Sequence, residues 1–494
     1  MTKFASPFSR LSSCTLLAWC AALLAVATPA SVFAAATPAA APASAATPAA
    51  PTSFKFQFGA DKAAPGYTLI SPTTIYSKDT GFGLEPGAQV TAVTQTATDP
   101  LQTGAVTGTA PFAFAVKVPE GNYRVTVTLG DPKAEAMTTV KAEARRLMLE
   151  RVNTPAGKFV TKTFTVNVRR PTLSDGRTPK LDSREMNLDT NEAITPTWDD
   201  KLTITFSDTH PAVAAIDIKK VDDAITVFVV GDSTVTDQPG GNGSWGQMFP
   251  RWFKSEVAVA NHAESGETLR GSLNELRWAK VLDTMKPGDY VFIQFGTNDS
   301  KNSGPQNIYP NQTFAETYAP ADGLYKELLK QYVADAQKRG GHPVIVSPPA
   351  RRGEMPGGRI SLGAYETAAM AAAKEAGVPG IDLNAMGQEM NAALGADAVR
   401  IYADGTHTQD YGAYMFSRAV ALGIKQDNLD LAKYLADDTL PFDPKAPTPK
   451  PDDFKVPSGA AGGRGAGGGG RRGGAAAAAG GAAAPQAAAP AAAQ

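Results

Sequence analysis

The residues best suited to nucleophilic chemistry in this sequence are a serine and a histidine that lie far apart in the chain. Ser233 belongs to the tetrapeptide Gly-Asp-Ser-Thr, which follows the apolar run Ile225–Val230. If that run is a strand of a parallel sheet, the serine hydroxyl lies at the carboxyl end of the strand, where such sheets bind ligands. Taken alone, Gly-Asp-Ser is a common turn composition, so a catalytic role requires a base.

His407 is the strongest candidate for that base among the four histidines. Asp404 lies three residues before it, so its carboxylate can hold one imidazole nitrogen while the other takes the serine proton. His210 precedes a proline, and His342 follows two glycines at the start of a strand, whereas His262 ends a strand and can reach the edge of the site. Taken alone, the Asp404–His407 pair is more typical of a capping aspartate beside a surface histidine.

Two further loops carry groups that can hold an oxyanion. Asn298 lies in Gly-Thr-Asn-Asp after the apolar run Tyr290–Phe295, where its amide can donate to the oxygen of a tetrahedral intermediate. Gly266 ends the segment Asn-His-Ala-Glu-Ser-Gly, and a glycine lets the backbone approach a substrate closely. The backbone amides of Gly266 and Ser233 are therefore the other candidate donors, although each loop taken alone is an ordinary turn.

An alternation of strands and helices after Ala224 positions these loops. Buried strands are predicted at Ile225–Val230, Val257–Asn261, Tyr290–Phe295, Val344–Ser347 and Gly380–Leu383. Amphipathic helical segments between them include Ala321–Arg339 and Leu362–Ala376. This order predicts a parallel sheet covered by helices on both faces. All four segments with candidate chemistry then lie at the carboxyl edge of one sheet, which four unrelated turns would not explain.

Together the four segments resemble the conserved blocks of the SGNH/GDSL hydrolase family. They are GDST at 231–234, NHAESG at 261–266, GTND at 296–299 and DGTH at 404–407. The resemblance implies a three-layer α/β/α, flavodoxin-like fold over residues 223–445. It also implies a role for each matched residue: Ser233 as nucleophile and oxyanion donor, Gly266 and Asn298 as further oxyanion donors, Asp404 as the orienting carboxylate, and His407 as the base.

Within that family the sequence looks most like bacterial rhamnogalacturonan acetylesterases, in which a GDST variant is typical and a β-sandwich commonly precedes the hydrolase domain. Glu264 departs from this pattern, since a small or basic residue is expected in the glycine block. The departure leaves open which acetylated glycan is preferred. Arg351 and Arg352 follow the fourth predicted strand and can contact a galacturonate carboxylate, although a solvated arginine pair is also typical there.

The first half of the chain has a different pattern. Short alternating or β-branched runs are separated by Gly, Pro, Asn and Asp turns at Phe54–Phe58, Phe112–Val118, Tyr123–Leu129, Phe164–Val168 and Leu202–Phe206. This pattern predicts a β-sandwich over residues 53–222, of the galactose-binding-like type that the resemblance implies. The segment Glu135–Val152 fits either a helix or a long strand.

The two ends of the chain have compositions of their own. Residues 1–34 combine a basic leader with an apolar stretch and predict a signal peptide, so we expect a periplasmic or extracellular protein. An uncleaved anchor would need an apolar run of about 20 residues. Residues 35–52 predict an Ala/Pro-rich linker and residues 446–494 a disordered Gly/Ala/Pro-rich tail. Cys14 and Cys20 both lie in the leader, which excludes a thiol nucleophile or a disulfide from the mature chain.

Several other classes of protein find little support. A net charge of −1 gives no reason to expect nucleic acid or an anionic membrane as partner, and no metalloprotease, P-loop or GxSxG motif occurs. The GxGxxG pattern at 241–246 begins ten residues after Gly231, too far from the strand end for a dinucleotide site. We interpret it as a flexible rim of the active site, with Trp245 packed inside or stacked under a sugar.

The sequence therefore predicts an exported serine esterase that uses no metal or cofactor. The expected substrate is an acetylated plant cell-wall polysaccharide, above all rhamnogalacturonan or pectin. An acetylxylan esterase and a lipid or thioester hydrolase are the alternatives on the same site. A non-catalytic carbohydrate-binding envelope protein is the alternative from another class, against which the intact serine, aspartate and histidine argue. The sequence does not indicate an oligomeric state.

Overall fold

The computed structural model describes residues 51–181, 185–187, 192–193, 195–240, 242–304, 313–354 and 362–458. The predicted signal peptide, nearly all of the predicted linker and the chain beyond residue 458 lie outside this range. Within it, no helix combines the length and the apolar character that crossing a bilayer requires.

Strands cluster in the first half of the described chain. They are β1 (Ser53–Phe58), β2 (Thr68–Ile70), β3 (Phe82–Leu84), β4 (Val90–Thr94), β5 (Gly104–Gly108), β6 (Phe112–Lys117), β7 (Gly121–Leu129), β8 (Ala136–Ala142), β9 (Arg146–Thr154), β10 (Val160–Val168), β11 (Met186–Asn187), β12 (Glu192–Ala193), β13 (Lys201–His210) and β14 (Ala212–Val221). The second half contributes β15 (Ile225–Gly231), β16 (Val257–Asn261), β17 (Tyr290–Gln294), β18 (His342–Val346) and β19 (Gly380–Ile381). All ten strands predicted from the sequence are thereby confirmed to within a few residues.

The first half is a β-sandwich, as predicted. A five-stranded antiparallel sheet in the order β3-β6-β13-β8-β9 faces the antiparallel part of a larger sheet, in which β10, β7, β14 and β1 are neighbours. Alternate side chains of both sheets fill the space between them, and the ring centroids of Phe56 and Phe114 lie 4.8 Å apart in an edge-to-face arrangement.

The segment Glu135–Val152, which fitted either a helix or a long strand, is a hairpin of β8 and β9. A tight turn joins the two strands, with Glu143 and Arg145 in the left-handed region at φ 53° and 65°. The sequence hid the hairpin because most side chains of β8 and the start of β9 are buried, so that polar and apolar residues do not alternate.

The second half is a parallel sheet between two layers of helices. Its order is β16-β15-β17-β18-β19, which is the 2-1-3-4-5 order of flavodoxin-like folds. One face packs against α2 (Leu269–Asn274), α3 (Arg277–Thr284), α5 (Lys326–Lys338) and α6 (Gly363–Ala376). The other face packs against α1 (Trp245–Met248), α7 (Leu383–Leu394) and α8 (Asp410–Gln426), and the short α4 (Phe314–Thr317) lies near α2. The predicted three-layer α/β/α class is confirmed.

The two halves share one sheet. β10 of the sandwich pairs in parallel with β16, through Thr165 with Ala258 and Val166 with Val259, so twelve strands form a continuous mixed sheet in the described chain. The predicted boundary between residues 222 and 223 therefore falls at a short turn between β14 and β15 within one compact unit.

The first residues of the predicted C-terminal tail belong to the folded body. Residues 446–458, assigned to the disordered tail from their composition, lie against the folded body: the Phe454 ring packs on Tyr411 and Tyr414, and Val456 is buried. Besides these apolar contacts, side chains of the folded body donate hydrogen bonds to carbonyls of the segment, as Tyr411 does to Pro449 and Arg418 to Thr448. A mean composition does not reveal such individual contacts. Residues 459–494 lie outside the described range.

Candidate active site

Ser233 lies on the loop that follows β15, at the carboxyl edge of the parallel sheet. A side chain at Gly231 would collide with the carbonyl of Gln294 on the neighbouring strand, so the chain can leave the sheet here only as glycine. The Asp232 carboxylate accepts hydrogen bonds from the Thr234 backbone N–H at 2.9 Å and from its hydroxyl at 2.8 Å. These contacts close the turn and fix the serine that lies between the two residues.

His407 lies directly against Ser233. Its Nε2 is 2.8 Å from the Ser233 Oγ, and its Nδ1 is 2.7 Å from the Asp404 Oδ2. The loop that carries both residues precedes α8 and closes on itself, because the Asp404 Oδ1 accepts the backbone N–H groups of Thr406 and His407. The structure thus brings together three residues that 174 positions of sequence separate. This is the arrangement of a nucleophile, its base and an orienting carboxylate.

The electrostatics of Asp404 favour its ionised form. Partial burial raises the pKa of this carboxyl group, but the two backbone hydrogen bonds and the contact with the His407 ring outweigh burial and hold the pKa below its usual value. The carboxylate is therefore charged near neutral pH, as it must be to stabilise an imidazolium.

Asn298 and Gly266, the two predicted oxyanion donors, lie on adjacent loops of the same edge. The Asn298 Nδ2 donates to the Glu267 carbonyl at 3.1 Å, and Gly266 has a φ of 84°, a left-handed conformation that favours glycine. Asp299 ties the two loops together, because its carboxylate accepts the backbone N–H groups of both Gly296 and Leu269 at 2.9 Å.

The sequence of this chain matches known protein families and individual relatives. Residues 229–413 match the model of the GDSL-like lipase/acylhydrolase family, and residues 54–172 match that of the β-agarase/YxiM esterase-like, galactose-binding domain-like family. The chain is 34% identical over 232 residues to the rhamnogalacturonan acetylesterase RhgT of Bacillus subtilis, covering 94% of that protein and 43% of this chain. The chain belongs to the GDSL-like lipase/acylhydrolase family. It is therefore a carboxylic ester hydrolase by family.

A second relative matches both the sandwich half and the parallel-sheet half of this chain. The esterase YxiM of Bacillus subtilis, described as uncharacterized, is 26% identical over 395 residues, which are 76% of this chain and 91% of that protein. The solved structure of YxiM from the same organism covers 76% of this chain and 99% of that chain, with 22% identity and a TM-score of 0.40.

Trp245 is packed inside the protein, which is one of the two positions that we considered for it; the alternative, a substrate contact stacked under a sugar, is wrong. Only 1% of its surface is exposed, and its ring nitrogen donates to the Gln294 Oε1 at 2.9 Å. Hydrogen bonds also tie down the described residues 242–246, which we had interpreted as a flexible rim. The Gly243 N–H donates to the Thr408 carbonyl, the Thr408 hydroxyl donates to the Gly243 carbonyl, and the Ser244 hydroxyl donates to the Thr236 carbonyl. Gly241 lies outside the described residues.

The two candidate substrate-binding arginines differ in their positions. Arg351 is half-buried and its Nη2 approaches the carbonyl of Thr297, in the same loop as Asn298, at 3.5 Å. Arg352 is exposed at the start of a short helical turn. The structure thus places Arg351 beside the oxyanion loop. In the part of the chain that is described, no group of three or more His, Cys, Asp or Glu side chains could hold a metal ion.

The remaining histidines lie away from Ser233. His262 is buried beside Trp198 and Phe228, and burial and neighbouring arginines hold its pKa well below the usual value. His210 contacts Asp131 in the sandwich at 2.8 Å, whereas His342 packs on the Tyr290 ring near the start of β18. The His262 ring packs on Trp198 and Phe228, whereas the base in contact with Ser233 is His407.

Two residues that support the GDSL site were not found from the sequence. The Lys301 Nζ donates to the Asn298 Oδ1 at 2.7 Å, which fixes the orientation of the amide, and the Gln238 Nε2 donates to the Ser233 carbonyl at 2.8 Å. Lys301 lies three residues after Asn298, so its proximity was open to prediction. Gln238 had no comparable pattern.

Proposed function

We propose that this GDSL protein is a serine esterase that removes acetyl groups from plant cell-wall polysaccharide, with acetylated rhamnogalacturonan as its substrate. The 2.8 Å contact between the His407 Nε2 and the Ser233 Oγ carries the proposal, since a serine becomes a nucleophile only beside a base. The Asp404 carboxylate on the opposite ring nitrogen fixes the tautomer in which Nε2 accepts the proton.

The reaction proceeds through an acetyl-enzyme. The Ser233 Oγ attacks the ester carbonyl while its proton passes to the His407 Nε2, and the resulting imidazolium is stabilised by Asp404. When the tetrahedral intermediate collapses, the sugar oxygen leaves with the proton from His407 and the acetyl group stays on Ser233. A water molecule then attacks the acetyl carbonyl and gives its proton to His407, which returns it to the Ser233 Oγ as acetate leaves.

The negative charge of each tetrahedral intermediate falls on the former carbonyl oxygen. The backbone N–H groups of Ser233 and Gly266 and the side-chain amide of Asn298 are the donors that we assign to this oxygen. Only one hydrogen of the Asn298 amide is used by the Glu267 carbonyl, so the second is available to the substrate. The Lys301 ammonium on the amide oxygen keeps the nitrogen directed at the site.

Two observations support a pectic substrate. A relative that is 34% identical over 232 residues is named a rhamnogalacturonan acetylesterase. In addition, the cationic side chains of Lys301 and Arg351 flank the Asn298 loop, and galacturonate residues of rhamnogalacturonan carry carboxylates that pair with such cations. A neutral xylan offers no partner for these charges.

We also propose that the protein is exported. The basic leader, apolar stretch and small residues before position 35 support this localisation. N-terminal sequencing of protein from the periplasm and the medium of an expressing bacterium tests it. Processing near residue 34 is expected, and an intact leader on cytoplasmic protein would contradict it.

Acetate release tests the enzymatic proposal. The wild-type protein and the Ser233→Ala variant are compared on acetylated rhamnogalacturonan, acetylated xylan and p-nitrophenyl acetate. We expect serine-dependent release that is fastest from rhamnogalacturonan. Release from xylan alone would assign a different glycan, and release that persists in Ser233→Ala would refute the mechanism.

A further inference from the structure

The turn of the β8–β9 hairpin reaches out of the sandwich and into the hydrolase half. Its residues Ala144, Arg145 and Arg146 are all buried, and the Ala144 carbonyl accepts a hydrogen bond from the Gln247 Nε2 at 2.7 Å. Arg145 holds a left-handed backbone, which costs a non-glycine residue about 1 kcal/mol. A strained turn that carries buried charges is retained only where its contacts compensate for both costs.

Arg145 uses its whole guanidinium group in these contacts. Its Nη1 donates to the carbonyls of Gln238 at 3.2 Å and Asn242 at 3.1 Å, and its Nη2 lies 2.9 Å and 3.1 Å from the two carboxylate oxygens of Asp410. Its Nε donates to the Ser458 carbonyl at 2.8 Å. One side chain of the sandwich thus joins three segments of the hydrolase half.

Two of these segments carry the reacting residues. Gln238, whose carbonyl Arg145 binds, donates through its side chain to the backbone carbonyl of Ser233 at 2.8 Å. Asp410 begins α8 three residues after His407. Arg145 therefore acts on the backbone of Ser233 through Gln238, and on the loop that carries His407 through Asp410.

The serine loop and the histidine loop also contact each other beside Arg145. Gly243 donates its N–H to the Thr408 carbonyl at 3.0 Å, and the Thr408 hydroxyl donates to the Gly243 carbonyl at 2.8 Å. A Cβ at Gly243 would lie only 2.8 Å from the Asp410 Oδ1, so this corner has no spare volume. A shift of Asp410 or of the chain at Asn242 must therefore move the loop that carries His407.

We propose that Arg145 is a positioning residue that sets the distance between Ser233 and His407, so that the sandwich is an integral part of the active site. The inference rests on the proposed function, since it assigns a role to the geometry of the same triad. It goes beyond that function by assigning a task in catalysis to a domain of galactose-binding-like fold. A nucleophile and base misplaced by about 1 Å lose up to about 100-fold in rate.

Arg151 provides a matched control on the same hairpin. Its Nη1 donates to the Asp208 carboxylate at 3.1 Å and to the Lys455 carbonyl at 2.9 Å, so it joins the sandwich to the C-terminal segment as Arg145 does. These contacts involve neither the serine loop nor the histidine loop. Arg151→Met thus removes a second arginine that contacts the C-terminal segment, without touching the serine loop or the histidine loop.

The test compares Arg145→Met, Arg145→Lys and Arg151→Met in the full chain. On p-nitrophenyl acetate, we expect Arg145→Met to lower kcat by about 10-fold to 100-fold with KM within about twofold, because the small substrate binds equally well but reacts more slowly. Arg145→Lys, which keeps the charge but loses the fork, is expected to fall between Arg145→Met and wild type. Arg151→Met should keep its kcat at a temperature where all variants are folded.

Crystal structures of the same variants separate this inference from the proposed function. In Arg145→Met, or in Arg145→Lys should the methionine variant not fold, we expect the Ser233 Oγ and His407 Nε2 to lie more than 3.5 Å apart, against 2.8 Å in the wild type. An unchanged distance together with a kcat equal to that of Arg151→Met would overturn the role of Arg145. Wild-type turnover that does not depend on Ser233 would overturn the proposed function, and the Ser233–His407 distance would still decide the inference.

Discussion

The triad and the seam between the two halves of the molecule are built in opposite ways. The triad pairs Asp404 with His407 across three residues of sequence, and their side chains remain 54% and 30% exposed. The seam, which we define as the ion pairs Arg146–Asp237 and Arg277–Glu185, joins residues 91 and 92 positions apart, and its side chains are at most 7% exposed. The Asp404–His407 pair thus faces solvent on one short local loop, although Ser233 itself is only 7% exposed and lies 174 positions away from His407. The groups that hold the halves together are buried and distant in sequence.

This difference has a physical reason. A substrate must reach the reacting atoms, so the triad cannot be fully buried, and its charges gain little from isolated pairing in water. The seam residues have lost their hydration, so each charge depends on its partner. We therefore expect changes to the triad to remove activity while leaving stability, and changes to the seam to remove stability first.

The largest effect is expected from the base. His407→Ala should lower kcat on p-nitrophenyl acetate by about four orders of magnitude or more, because it removes the base that lies 2.8 Å from the Ser233 Oγ. The free energy of unfolding should change by less than about 1 kcal/mol, since the ring is partly exposed. Urea unfolding alongside kinetics checks both; a large loss of stability would show that the triad is also a structural element.

The next largest effect, a loss of stability, is expected when an ion pair of the seam is broken. Arg146→Met leaves the Asp237 carboxylate buried without its 2.7 Å partner and should lower the unfolding free energy by about 3–5 kcal/mol. Arg124→Met is the control, because Arg124 also bridges distant residues but pairs with the 73% exposed Asp223 and should cost under about 1 kcal/mol. Equal losses of unfolding free energy in the two variants would show that the buried seam pair contributes no more than an exposed surface pair.

The oxyanion loop should respond in activity alone. Asn298→Ala removes one donor and should lower kcat by about 100-fold to 1,000-fold, with little change in KM. Asn298→Asp is the companion variant, because it keeps the size but places a negative charge beside the developing oxyanion. Asn298→Asp should be no more active than Asn298→Ala, and a near-normal kcat in either would exclude Asn298 as a donor.

A further effect is a pH dependence of stability that arises behind the oxyanion loop, and it is spread over about three pH units. Burial, with the nearby Asp232 charge, raises the pKa of Asp299 to about 7 against the hydrogen bonds of Leu269 and Gly296. In the unfolded chain the pKa is about 3.9, so the folded state binds the extra proton, and this carboxyl group stabilises the fold only at low pH. Between about pH 4 and pH 7 it should reduce stability by about 1.4 kcal/mol per pH unit.

Asp299→Asn tests this sign. The variant cannot ionise, so its Tm should fall less than that of the wild type as pH rises from 5 to 7, and the difference should level off above pH 8. A constant difference between the two proteins over this range would show that Asp299 is ionised throughout.

The contrast between triad and seam also explains what the sequence could predict. Ser233, Asn298 and the Asp404–His407 pair lie in short segments at strand ends, where local pattern and strand order fix their location. Arg145 joins Gln238 and Asp410 across 93 and 265 residues. No periodicity links such positions, so its role could not be predicted.

The errors have the same origin. Trp245 was placed at the rim because its neighbours are glycines, but its large ring fills the core under Gln294. The hairpin at Glu135–Val152 was ambiguous because most side chains of β8 and of the start of β9 are buried, so that polar and apolar residues do not alternate. The segment 446–458 was judged by composition, whereas specific contacts hold it against the folded body, including the Phe454 ring on α8 and the hydrogen bonds of Arg145 and Arg151 to its carbonyls.

Covalent labelling of Ser233 tests the central claim most directly. Wild-type protein and the His407→Ala variant are treated with a fluorophosphonate, and the modified peptide and its rate of formation are measured by mass spectrometry. The account predicts a single adduct on Ser233 that forms at least about 100-fold faster in the wild type, because His407 takes the serine proton. An adduct on another residue, or equal rates in the two proteins, would contradict it.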